Sequence, residues 1–380
     1  MSTTRPRRPV YIHGAGAWTA LGRGLDTHAQ ALAQEVPPAQ RVTLDACGEA
    51  REFPFHGLAA SDEDPVAAVA RDALTAAGIT PAQRPSCGVF FGSTCSNLAA
   101  DEVAYRARMH ERDAYPLDLA DGHAVVAQQL AESEELGGPH FFFGTACSSS
   151  GNALLHAAAM IGRGELDTAL VVGTERFNRL SLYGFDALEL LARERARPFD
   201  RARDGLVLGE GAAALVLSPA PAPWRVRGGA TLVDTDSPTG SSEATIARVI
   251  AQALTHAELA PDDITAIKAH GTATVLNDRA ESAGLHQAFA ELPPTTSLKG
   301  AIGHTLGGCG AIETALAIAC VEHGYWPASA GFRHAETEPP GLAPLARPEA
   351  LDGGRFLMNF FGFGGNNCAY VLERGHHAPH

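Results

Sequence analysis

Short apolar runs alternate with longer Ala-rich stretches along this chain. Residues 10–13, 89–92, 141–143, 169–172, 213–217, 264–269 and 356–360 are rich in apolar side chains, and the short run 295–298 joins them as a strand candidate. Runs of that length with little polar alternation predict strands buried on both faces. Residues 65–77, 149–161, 243–257, 279–290 and 310–321 are Ala-rich with helical spacing and predict helices. The alternation of the two predicts an α/β fold with strands between helix layers. Around residues 220–223 the chain turns Pro-rich, which predicts a seam between an N-terminal half, 1–219, and a C-terminal half, 220–374. Residues 375–380 read as a flexible, solvated tail.

The halves echo each other. "ALTAAGITP" at 73–81 recurs as "ALTHAELAP" at 253–261, and "GNALLHAAAMI" after Cys147 has a weaker counterpart in "GAIETALAIAC" after Cys309. Two copies of one α/β unit packed face to face account for this.

Composition narrows the function. The 380 residues are 45% hydrophobic and 19% charged, with a net charge of -14, which speaks against a nucleic-acid partner because phosphate binding needs a concentrated basic surface. Seven scattered cysteines without a C-x-x-C pair fit neither a disulfide framework nor a zinc ribbon. No run approaches the ~18 apolar residues of a membrane span, and "MSTTRPRRPVYIHGAG" lacks the apolar core of a signal peptide. The expectation is a soluble protein of a reducing cytoplasm.

Four segments carry candidate chemistry. In "HFFFGTACSSSGNALLHAAAMIGRG", Cys147 lies at a strand-to-helix junction like the elbows that present nucleophiles. A helix N-terminus there would stabilise a thiolate near neutral pH; a small buried core residue is the competing explanation. "AIKAHGTATVLNDRAES" ends a strand at His270 and adds Thr272, Thr274, Asp278 and Glu281, while "TSLKGAIGHTLGGCGAIE" carries Lys299 and His304 on a Gly-rich connection. Each histidine alone fits a satisfied structural role, yet loops leaving the same edge of a sheet converge on one crevice, where Cys147, His270 and His304 could meet. "FLMNFFGFGGNNCAYVLER" ends a strand in a Gly-rich turn. Its N–H groups could join that of Cys147 in an oxyanion site, unless the turn is only a tight hairpin. "GAGAWTALG" fails as a dinucleotide fingerprint at Thr19, no G-x-S-x-G or Walker lysine occurs, and the cysteine and histidine spacing matches no zinc pattern.

Together these segments resemble the β-ketoacyl-acyl-carrier-protein synthases, condensing enzymes of the thiolase fold. "GTACSSSG" resembles the nucleophile motif, "AHGTATVLND" and "SLKGAIGHTLGGCGAIE" the two histidine blocks, "FFGFGG" the closing loop, and "RPFDRARDGLVLGEGAAALVL" a fifth block. The resemblance implies a five-layer αβαβα fold of two pseudo-duplicated halves, usually dimeric. It implies that Cys147 accepts an acyl chain from a carrier protein, and that His270 and His304 stabilise the enolate of a decarboxylating malonyl unit. It implies a structural ion pair of Lys299 with Glu281 and an oxyanion hole at the N–H groups of Cys147 and Phe363. The Phe363 side chain would act as the gate, Thr272 and Thr274 would bond the pantetheine arm, and Gly364 and Gly365 would line the substrate. No metal, nucleotide or other cofactor is expected; the acyl and malonyl groups arrive on carrier-protein phosphopantetheine.

Two departures stand out. Residues 218–240 are short where relatives carry a helix and longer loop, and Glu189 replaces an arginine common at the carrier entrance. Docking an acidic carrier then falls to local cations such as Arg193, Arg195 or Arg203, or to a second subunit. Met109 and Phe142 are candidates for the acyl tunnel. The expected activity is decarboxylative Claisen condensation in fatty acid or polyketide and polyene assembly, as a homodimer or beside another ketosynthase-like chain. The alternatives are a chain-length-factor subunit, a coenzyme A thiolase, whose G-H-P-x-G and C-x-G-G-G patterns are absent, and a carrier-binding decarboxylase for which Cys147 is incidental.

Overall fold

The computed structural model describes residues 7–46, 49–109, 122–235, 240–337 and 341–375. Of the predicted tail at 375–380, all but residue 375 lies outside the described residues, as does the side chain of Met109. Ten strands carry the architecture: β1 (Val10–Thr19), β2 (Cys87–Gly92), β3 (His140–Phe143), β4 (Thr168–Glu175), β5 (Gly211–Ser218), β6 (Trp224–Val233), β7 (Ala266–Lys268), β8 (Thr295–Thr296), β9 (Gly354–Gly362) and β10 (Asn366–Arg374). They lie in the order β8-β7-β9-β10-β6-β1-β5-β4-β2-β3. The order 3-2-4-5-1 therefore occurs twice, β1 to β5 in one half and β6 to β10 in the other. In each, the third, second and fourth strands are mutually parallel and the fifth is antiparallel to both neighbours.

The halves meet differently from a plain face-to-face stack. β1 and β6 pair at Val10 with Val226, Tyr11 with Arg225 and Ile12 with Trp224, so the two sheets share one edge. The Pro-rich 220–223 segment is the link between β5 and β6.

Five helices make the layers: α1 (Pro65–Ala76), α2 (Ser149–Arg163), α3 (Glu243–Ala257), α4 (Val275–Ala288) and α5 (Cys309–Glu322). α1 packs on the outer face of the first sheet and α3 on the outer face of the second. α2 and α5 lie together in the central layer, whose core takes residues from both halves. α5 is buried from Cys309 to Val321 and has no polar face to expose, as its central place requires. The helix crossing is close because Gly310 has no side chain: a Cβ there would stand 2.2 Å from the Gly151 nitrogen. The "GAG" of β1 serves packing too, since a Cβ on Gly14 would meet the Ala73 carbonyl of α1 at 2.3 Å.

The internal echo has a conformational basis. α1 is capped by Asp64 and α3 by Ser242, and beyond them Gly78 and Glu258, the matching positions of the repeated nonapeptide, both adopt left-handed backbone, φ +65° and +58°. The central helices align one residue away from the sequence echo: a 3₁₀ turn over Ala146–Ser148 leads into α2, and one over Leu306–Gly308 leads into α5. Ser149 thus corresponds to Cys309, and Cys147 to Gly307.

The aromatic strand differs from expectation. Among the described residues β3 pairs only with β2, and His140 and Phe141 are exposed while Phe142 and Phe143 are half-buried. It is the edge of the sheet, so its apolar run is not covered on both faces. Sequence reading also passed over the hairpin Gln40–Ala46 and Glu49–His56, and the helices Leu25–Leu32, Leu98–Met109, Val125–Ser133 and Arg179–Ala187. Among the described residues no helix is long and apolar enough to cross a membrane.

Candidate active site

Cys147 lies at the elbow between β3 and α2. Ala146 takes left-handed backbone at φ +50°, which reverses the chain in one residue. The following serines hold that reversal: Ser149 Oγ accepts from Thr145 N–H at 2.9 Å and donates to the Ala146 carbonyl at 2.6 Å, and Ser148 Oγ donates to the Thr145 carbonyl at 2.8 Å. Ser150 ties the elbow to the second half, donating to the Gly307 carbonyl at 2.7 Å and accepting from Ala311 N–H at 3.0 Å. Cys309 Sγ donates to the Cys147 carbonyl at 2.9 Å.

Both histidines reach the sulfur's neighbourhood. His304 Nε2 stands 3.1 Å from Cys147 Sγ, and the His270 ring meets the His304 ring edge-on, with centroids 5.3 Å apart. One ligand atom from each of the three residues lies within 4.8 Å of the others. Burial, then the charge of Lys299, holds both imidazoles well below their usual pKa, so each is neutral, with one N–H and one lone pair. The same cluster is the one among the described residues whose atoms could hold a metal ion. The adjacent lysine charge opposes a dication there.

The thiol departs from expectation. Burial pushes Cys147 up to about 12, against the lowering effects of Lys299 and of the Phe363 and Cys147 N–H groups. Desolvation outweighs the helix N-terminus, so no thiolate waits at neutral pH. His304 is the nearby base that can take the proton as the sulfur attacks. The Phe363 and Cys147 N–H groups that face the sulfur are the expected oxyanion donors. Phe363 itself is half-buried and packs on Phe185 with centroids 5.5 Å apart. Gly364 and Gly365 are left-handed, φ +73° and +70°, and a Cβ on Gly365 would lie 1.8 Å from the Asp234 carbonyl. Their evident duty is the turn that aims Phe363, with Gly364 exposed beside it.

The expected Lys299–Glu281 pair does not form. Lys299 Nζ bonds Glu313 Oε1 at 2.6 Å, and the other carboxylate oxygen takes Lys268 Nζ at 2.7 Å. Glu281 instead accepts from the backbone N–H groups of His270 at 2.7 Å and Gly271 at 2.8 Å. It shapes the histidine loop and neutralises no lysine. Asp278 continues the same bracing, accepting from Thr272 N–H at 3.0 Å and Phe199 N–H at 2.7 Å. Glu175 does likewise for Thr94, Cys95 and Gly307. Thr272 and Thr274 are buried beside His270 and bond each other at 2.9 Å.

Glu313, Lys268, Glu175 and Cys309 were missed as site residues. The signal for Glu313 was available, because an acid in the middle of the otherwise apolar run 310–321 needs a buried partner. Of the proposed docking cations, Arg203 is taken: it is buried, donates to the Asp200 carbonyl and pairs with Glu336 at 2.9 Å. Arg193 and Glu189 are exposed. Phe142 stacks on Phe91 and His123 at the edge of the first sheet.

Comparison with known proteins agrees with this geometry. Residues 65–222 match the family described as β-ketoacyl synthase, N-terminal domain, and residues 226–333 match β-ketoacyl synthase, C-terminal domain. The chain is 30% identical to the oxytetracycline polyketide β-ketoacyl synthase 1 of Streptomyces rimosus, over 80% of this chain and 78% of that protein. It is 26% identical to the chloroplastic 3-oxoacyl-[acyl-carrier-protein] synthase II of Arabidopsis thaliana, over 96% of this chain and 76% of that one. Among solved structures, a ketosynthase in complex with its chain length factor from Xenorhabdus doucetiae superposes with a TM-score of 0.85 at 26% identity, covering 97% of this chain and 98% of that one. Its fold is thiolase-like, its chemistry is acyl transfer, and the chain belongs to the β-ketoacyl synthase family.

Proposed function

We propose that this chain condenses an acyl group held on Cys147 with a malonyl unit, both delivered by an acyl carrier protein. The observation that carries this reading is the 3.1 Å approach of His304 Nε2 to Cys147 Sγ beneath two converging N–H donors. Cys147 attacks the acyl thioester, its proton leaving by way of His304 to the departing pantetheine thiol as the carrier's C–S bond breaks. His270 and His304 then donate to the thioester oxygen of the malonyl unit. Carbon dioxide leaves, its bonding pair becomes the enolate, and the enolate carbon attacks the acyl-Cys carbonyl, expelling Cys147 as a thiolate that takes one proton from solvent to return to the thiol. The redox-neutral chemistry balances without a nucleotide or metal.

Two features favour work beside a second ketosynthase-like chain. β3 leaves one edge unpaired, and a groove of about 1210 Å³ runs along the open face of α2, walled by Phe143, Asn152, Leu155 and His156 and reaching Thr145 and Asn366. A second chain seated there would close a path for the growing acyl chain. The setting we propose is cytoplasmic fatty acid or polyketide assembly. A non-catalytic chain-length partner fits less well, because His304 Nε2 lies 3.1 Å from the Cys147 thiol and His270 completes the same cluster within 4.8 Å.

Intact-mass measurement after incubation with acyl- and malonyl-carrier protein tests the reading. The expected result is an acyl adduct on Cys147, lost in Cys147→Ala, and malonyl decarboxylation lost in His304→Ala. Absence of any adduct with the wild-type chain, together with unchanged product in Cys147→Ala, would overturn it.

A further inference from the structure

Lys268 stands two residues before His270, at the end of β7, and is fully buried. Its Nζ has three neighbours, all suited to a cation: Glu313 Oε2 at 2.7 Å, the Asn359 carbonyl at 2.5 Å and the Phe360 ring, whose centroid lies 3.5 Å away. A carboxylate, a carbonyl and an aromatic face bind an ammonium and offer nothing to a neutral amine's lone pair. Glu313 thus bridges two ammoniums, Lys268 on one oxygen and Lys299 on the other, and all three side chains are at most 1% exposed. Two positive charges against one negative leave an excess positive charge where burial makes any charge costly. A structural ion pair would need only one lysine.

We propose that Lys268 is a positioning residue of this site: by sharing Glu313 it fixes the Lys299 ammonium and keeps a positive field behind His270 and His304, so that both stay neutral donors to a developing enolate. The groups facing it come from every packed element. They are Glu313 and Cys309 on α5, Lys299 on the one-turn helix Lys299–Ile302 before it, Glu281 on α4, Cys368 on β10, and the two histidines. Glu281 feels the Lys268 charge but does not pair with it, because its two oxygens are turned to backbone N–H groups. Burial draws Lys268 below its usual pKa while Glu313 holds it up.

Lys268→Met keeps the side chain's length and removes its charge. In protein carrying ¹³C-labelled histidine, followed by NMR between about pH 4.5 and 8, the His270 and His304 midpoints are expected to rise, a gain of about three- to tenfold in proton affinity. The acid limb of malonyl-carrier decarboxylation is expected to move to higher pH in step, with kcat reduced and KM kept. Lys268→Arg, which restores the charge, should return the midpoints toward wild type. Unmoved midpoints in a folded Lys268→Met protein, with only the melting temperature lowered, would overturn the proposal; Lys268→Gln supplies the same readings if the Met variant does not fold. The proposal rests on the condensing reading only for the rate measurement. Shifted midpoints in a protein whose wild type decarboxylates nothing would sink that reading and leave this one standing.

Discussion

Glu281 shows how one side chain shapes the site without entering the chemistry. Each of its oxygens accepts one backbone N–H, from His270 and from Gly271, and no solvent reaches them. Glu281→Gln substitutes an NH₂ for one acceptor, so one buried N–H loses its bond, at a cost of about 1–3 kcal/mol. The expected outcome is a lower melting temperature and slower condensation, with the Cys147 adduct still formed. Acidity adds a second readout. Burial pushes Glu175 and Glu281 up to about 7 and Asp278 up to about 6, above their unfolded values near ~4. Each of these three carboxyls therefore keeps its proton longer in the native state than in the unfolded chain, so its own contribution to stability falls as pH rises from about 4 to about 7, while the buried histidines held below their usual pKa contribute with the opposite sign. Urea unfolding of wild type and Glu281→Gln at about pH 5.5 and 8 isolates the Glu281 share: the change in stability from the lower to the higher pH should be more favourable in the variant.

At the scale of elements, the reactive side chains were legible because strand ends announce them: Cys147, His270 and Phe363 each follow an apolar run, and His304 a Gly-rich connection. The lysine's partner was not. Counting along the chain from His270 leads to Glu281, whereas Glu313 arrives from α5, a contact that depends on how two helices cross. That crossing is testable. Gly310→Ala places a methyl against the Gly151 backbone, forces α2 and α5 apart and shifts the Cys147 elbow that Cys309 and Ser150 hold. Overpacking of this kind costs about 1–3 kcal/mol. The melting temperature should drop, and acylation of Cys147 should slow, since the Sγ to His304 spacing depends on that contact. The exposed edge of β3 was likewise hidden, since an aromatic run reads the same whether a second chain or a helix covers it.

For the whole molecule, duplication and charge set the terms. The strand order 3-2-4-5-1 appears in both halves, which the repeated nonapeptide and matching left-handed caps had foreshadowed. With a net charge of -14 and Arg203 committed to Glu336, Arg193 is an exposed cation left for the proposed carrier docking. An unpaired edge with exposed Phe141 is a ready template for strand pairing. Light scattering is expected to give a mass above the 39.7 kDa of one chain, and Phe141→Asp to return it to that value.

The two elbows make the duplication one-sided. The first presents Cys147; the second, at the equivalent place, has Gly307, where a Cβ would strike the Thr94 nitrogen at 2.4 Å. Glu175 locks both sides of that contact by accepting from Thr94 and Gly307. The second half has thus surrendered any space for a nucleophile of its own, and the repeat cannot be restored to symmetry by a single change. What began as two like units has become a division of labour, one half to carry the acyl group and the other to prepare the carbanion that claims it.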